Sequence, residues 1–101
     1  MFYQMKKIVV EEGHSSKIIE RFSKQGGLMS EQPGFIDKQV LLKKSRRGNE
    51  EVIVMIRWES ESAWKNWEKH PDHIAGHKAN AGKPKPEYVV ESSQDVYESQ
   101  E

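Results

Sequence analysis

The sequence predicts an α+β fold in which one antiparallel sheet carries helices on a single face. Strand-like runs of β-branched and aromatic residues occur at 2–10, 35–43, 51–59 and 87–92. Apolar residues recur at helical spacing around Ile18 to Phe22 and Trp64 to His77. Their order, strand, helix, strand, strand, helix pair, strand, is the split βαβ arrangement called ferredoxin-like. With 101 residues, the chain suits a single domain over 1–101 with one modest core.

Each element has a local reason. "FYQMKKIVV" at 2–10 alternates loosely and ends in β-branched residues, which suits a first strand. Glu11-Glu12-Gly13 turns the chain, and Ser15 or Ser16 is expected to cap a helix built on Ile18, Ile19 and Phe22, with Glu20 and Lys24 as an i,i+4 pair. The helix fades at Gly26-Gly27, and Gln32-Pro33-Gly34 leads into a hairpin of strands 35–43 and 51–59 with "SRRGNE" at its tip. Ser60 or Ser62 caps a helix over about 61–69; His70-Pro71 breaks it, and a second short helix runs from 71 to about 79. After the loop "AGKPKP", "EYVVES" is the last strand, and residues 94–101 are left as a tail that frays or reaches a partner.

The strand "EVIVMIRWE" sets Val52, Val54, Ile56 and Trp58 on one face and Ile53 and Met55 on the other. A sheet with one helical layer normally turns a polar face to water. Apolar residues on both faces therefore predict a second cover, and a second copy of the chain, packed sheet to sheet as a homodimer, is the economical one.

Composition narrows the function classes. Sixteen basic and sixteen acidic residues, mixed along the chain, give zero formal charge, so no overall field favours nucleic acid or an anionic membrane. The densest basic run, Lys43 to Gly48, is followed at once by Glu50-Glu51 and reads as a solvated hairpin tip. Without cysteine there is no disulfide, thiol nucleophile or thiolate metal site. No signal segment or membrane-length apolar run is evident, and a soluble, cytoplasmic protein is expected.

The chemistry gathers in "WKNWEKHPDHIAGHKAN", residues 64–80, with two of three tryptophans and three of four histidines. Trp64 and Trp67 lie within about 60° of each other on one helix. Trp64 is assigned to the core, whereas Trp67 is as well suited to line a cavity. His73 and His77, four apart, share a helical face, and His70 is the nearest third ligand for a divalent metal. A single axial histidine for haem demands less: one imidazole, an apolar slot and a group on the opposite side of the iron. His77, Trp67 and Ile74, set on two helices around the Pro71 kink, supply walls for such a slot.

"IIERF", Pro33-Gly34-Phe35, "VIVMIRWES" and "AWKNWEK…HIAGHK" together resemble the IsdG-type haem-degrading monooxygenases of the antibiotic biosynthesis monooxygenase superfamily, over nearly the whole chain. The resemblance implies a domain that dimerises through its sheet into a β-barrel. It implies oxidative opening of haem, at once cofactor and substrate, with O2 and an external reductant or reductase, and release of iron. His77 matches the histidine that ligates the iron, and Trp67, ten residues before it, matches the tryptophan that bends the macrocycle. Phe22 matches a helix-one phenylalanine, for which the pocket wall and the core are both open roles. The distal asparagine of that family falls at Lys6, a departure: lysine is a long, charged donor that resists burial. Gln4, of the same strand parity, is the alternative amide.

Two other readings stay open: a cofactor-independent monooxygenase of the same superfamily acting on a phenol or quinone, and a non-catalytic dimer that binds haem, or a divalent metal at His70, His73 and His77.

Overall fold

The computed structural model describes residues 1–23, 27–44, 47–80 and 85–100, the side chains of 76, 77, 79 and 80 excepted. Its elements are β1 (Phe2–Val10), α1 (Ser15–Phe22), a short 3-10 turn (Leu28–Glu31), β2 (Phe35–Leu42), β3 (Glu50–Trp58), α2 (Glu61–Glu68), α3 (Pro71–Asn80) and β4 (Val89–Glu98). The four strands form one sheet in the order β2-β3-β1-β4, and all three pairings are antiparallel. This is the ferredoxin-like topology expected from the element order.

Burial follows strand parity. Phe2, Gln4 and Val10 of β1 and Val52, Val54, Ile56 and Trp58 of β3 are buried, and the register sets Phe2 opposite Trp58, Gln4 opposite Ile56 and Ile8 opposite Val52. Onto this face α1 packs Ile18, and α2 packs Trp67. Phe22 touches both parts of the core and joins them. Each fully buried apolar side chain here contributes roughly 1.5–3 kcal/mol. Tyr3, Met5, Arg57 and Met55, of the opposite parity, fill the other face and keep partial exposure. There Arg57 grips Asp37 through both guanidinium arms, Nε to Oδ1 at 2.7 Å.

Two local expectations are corrected. Neither Ser15 nor Ser16 caps α1: the N-cap is His14, without a side-chain cap bond. The orphan amides of Gly13 and Ser15 instead donate to Oε1 of Glu50 at 2.9 and 3.0 Å. A carboxylate from the next hairpin does the work of a local hydroxyl, which suits the positive end of a helix. The tail expected after residue 93 is strand: β4 runs to Glu98, with Val96 opposite Gln4 and Tyr97 opposite Tyr3. Lys24, Ser45 and Arg46, on which an ion pair and part of the hairpin tip were expected, lie outside the described residues.

Among the described residues no helix is long and apolar enough to cross a membrane.

Candidate functional site

Ser60 starts the helix pair by accepting the Ala63 amide on its hydroxyl at 3.2 Å, and α2 ends at Glu68. His70 precedes Pro71, and its Nδ1 accepts the Asp72 amide at 3.1 Å. The imidazole is thus the cap of α3, and the break between the helices is built from the pair His70-Pro71, as the sequence predicts. Gly34 steadies the start of α2 from below. Its φ of 86° is open to glycine, and a Cβ there would lie 2.4 Å from that of Ala63.

Trp67 is buried within the cluster of Phe2, Val54, Ile56 and Trp58. Its indole also meets two imidazoles: His73 edge-on at 4.7 Å between centroids, and His70 at 5.6 Å. Trp64 is only half-buried and stacks obliquely on Phe2 at 5.2 Å. Of the two tryptophans, the one matched to the ligand pocket is therefore also the more deeply rooted in the core. His73 reaches back to Glu68, Nε2 to Oε2 at 3.3 Å. His77 lies on α3, with its side chain outside the described residues, and Ile74, one turn earlier, is exposed.

On the helix side of the sheet an open groove of about 360 Å³ is lined by Lys6, Ile8, Ser92, Ser93 and Gln94. Lys6 pairs with fully buried Val54 on one side and with Gln94 on the other, so its stem rises from the core. Its ammonium lies 5.7 Å over the Phe22 ring. Burial pushes the lysine pKa below its usual range; Glu68 opposes that shift, while Arg21 and Lys38 add to it. Gln4 is 2% exposed, and its side-chain oxygen faces the Trp58 indole N–H at 3.4 Å. It is committed to the core and does not line the groove.

Sequence reading missed Glu68 and the β4 residues. The Oε1 atom of Glu68 and the indole nitrogen of Trp64 are buried without a hydrogen-bond partner among the described residues. No periodic signal marks Glu68, because its position depends on where α2 meets β1. Ser92 and Gln94 carry no signal beyond strand pairing. Among the described residues no three His, Asp or Glu side chains form a metal-ligand group.

Comparison with known proteins places this geometry. The family model of antibiotic biosynthesis monooxygenases matches residues 1–79. The chain is 57% identical over 97 residues to the haem-degrading monooxygenase HmoA of Bacillus subtilis, covering 96% of this chain and 89% of that protein. A crystal structure of a Bacillus cereus protein described as an antibiotic biosynthesis monooxygenase superposes with a TM-score of 0.86 at 46% identity, over 99% of this chain and 91% of that one. The haem-degrader MhuD of Mycobacterium tuberculosis, seen with two haems in its active site, shares the fold with a TM-score of 0.67 at 24% identity, over 99% of this chain and 96% of that one.

Proposed function

The chain belongs to the antibiotic biosynthesis monooxygenase family, and from that premise we propose that it is a haem-degrading monooxygenase. The observation that carries the reading is its 57% identity, across nearly the full chain, to a protein that degrades haem. Haem, as substrate, supplies both the iron and the ring that is opened, with O2 and an external reductant consumed.

The residues present fit that ligand. A flat, amphiphilic carboxylate needs apolar walls, cations nearby and one imidazole. Ile8, Phe22 and exposed Ile74 are apolar; Lys6 lies among the charges of Arg21 and Lys38; α3 carries His77. In this reading a neutral His77 holds the iron. Trp67, anchored in the core on one side and against His73 on the other, would offer a bound ring a rigid wall. Phe22 lies beneath the Lys6 ammonium and in this reading would offer the ligand an apolar contact. Lys6 at the groove, rather than core-bound Gln4, would be the residue that donates a hydrogen bond to the ligand.

The outer sheet face, with Met5, Ile53 and Met55 part-exposed, supports a homodimer closed sheet to sheet; a cytoplasmic setting and a separate reductase as electron donor belong to the same reading. The test is to load the protein with haemin without oxygen and then admit air with a reductant. Loss of the Soret band with chelatable iron released is the expected result; inert bound haem sinks the catalytic reading.

A further inference from the structure

We propose that His73 is a positioning residue: braced on Trp67 and Glu68 of α2, it fixes the direction in which α3 leaves the Pro71 break, and so where His77 stands relative to Trp67. The roles of His77 and Trp67 rest on the haem reading above; the brace itself is a feature of the ligand-free chain.

His73 differs from its neighbours on α3 in depth. Pro71, Asp72, Ile74, Ala75 and Lys78 are exposed, whereas the His73 side chain keeps 14% of its surface. Among the described side chains of α3 it is the one drawn inward. A short helix is held in place by the face it buries, so the hold on α3 falls largely to that imidazole.

The contacts of His73 cross the break. Its ring stands edge-on to the Trp67 indole at 4.7 Å between centroids, an arrangement that aromatic pairs favour, and Nε2 lies 3.3 Å from Oε2 of Glu68. Neighbours on the surface of one helix are three or four residues apart. His73 is the sixth residue after Trp67 and the fifth after Glu68, on a separate helix, so the two contacts coexist only over a narrow range of angles between α2 and α3.

His70 holds the joint itself. Its N–H donates to the Trp67 carbonyl and its own carbonyl accepts the Ile74 amide, both at 3.0 Å, and its ring lies 5.6 Å from the indole. A helix pinned at its start alone can swing, and a second point further along fixes its axis. Trp67 is seated in the core, so α3 is the movable member. Residue 77 lies about 9 Å along the axis from Pro71, and a swing of about 10° carries it about 1.6 Å. A misplacement of about 1 Å is enough to impair a reaction that depends on aligned groups.

The first arm of the test reads α3 in the ligand-free protein, by backbone N–H residual dipolar couplings. In His73→Ala the couplings of residues 75–80 are expected to reorient or shrink while those of the sheet fit the wild-type structure; Glu68→Gln, which keeps the length of the side chain and gives up its charge, should change them less and in the same sense. Lys78→Ala, exposed on the same helix, should leave them as in wild type. Couplings of α3 unchanged in His73→Ala overturn the brace, and if that variant does not fold, unchanged couplings in Glu68→Gln do so. The second arm loads the same variants with saturating haemin: a displaced Soret band, and a several-fold slower loss of it under reductant and air, are expected. A spectrum and rate equal to wild type, with α3 reoriented, overturn the positioning role. A wild-type protein that takes up no haemin defeats the haem reading instead, and the dipolar couplings still decide the brace.

Discussion

The imidazole of His73 stands edge-on to the indole of Trp67, 4.7 Å between centroids at 61°, so the tryptophan is held from the helix-pair side as well as from the core. Its two roles separate by substitution. Trp67→Ala empties a core site and is expected to cost about 3–5 kcal/mol, near the whole stability of a small domain. Trp67→Phe keeps an aromatic wall, and haem should still bind while ring opening slows. Urea melts report the first result; the decay of the Soret band under reductant reports the second.

Glu50 reaches from β3 to the amides of Gly13 and Ser15, and these bonds hold its carboxyl below the usual glutamate range, Ser15 first among the causes. The sign follows from linkage: a carboxylate with a lowered folded pKa stabilises the protein above its unfolded value, and that contribution is lost as pH falls through the folded value. Glu50→Gln should lower the Tm at pH 7, and the difference from wild type should shrink toward pH 3. Thermal melts across that range check it.

Lys6 has the opposite sense. Its folded pKa lies below the ordinary lysine value, with burial the largest cause, so the unfolded chain holds more protons between the two values and stability rises with pH across that interval. Lys6→Met is expected to be more stable than wild type at pH 7, on the order of 1 kcal/mol. The advantage narrows toward pH 10. Urea midpoints at the two pH values measure it, with the slope m unchanged.

Gly34 sits at φ 86° with its missing Cβ directed 2.4 Å from Ala63 Cβ. Gly34→Ala combines an unfavourable backbone region with overpacking against α2, and should destabilise by about 2–4 kcal/mol. Denaturant melts give the value; restoring space with Ala63→Gly in the same chain should recover the packing part alone.

The sequence made the periodic parts legible. In β3, Val52, Val54, Ile56 and Trp58 alternate into the core as their spacing requires, and His70-Pro71 divides the helices where proline stereochemistry demands. What stayed hidden depends on contacts between distant residues. The acceptor for the Ser15 amide at the start of α1 is Glu50, 35 residues further along the chain, and no local pattern announces it. Beyond Val89, β4 is exposed throughout, so it is made by backbone pairing with β1 and leaves no apolar alternation to find. Within the site, spacing singled out the tryptophans and histidines. The seat of Gln4 against Trp58 and the turn of Glu68 toward His73 needed the packed helices to appear.

The central claim is that His77 holds haem iron beside Trp67. Titration of the ligand-free protein with haemin, for wild type and His77→Ala, tests it most directly. The account predicts a saturable Soret shift in the wild type that is lost or displaced, with much weaker binding, in His77→Ala, while the thermal melts of the two proteins stay alike. An identical spectrum and affinity in both would contradict it.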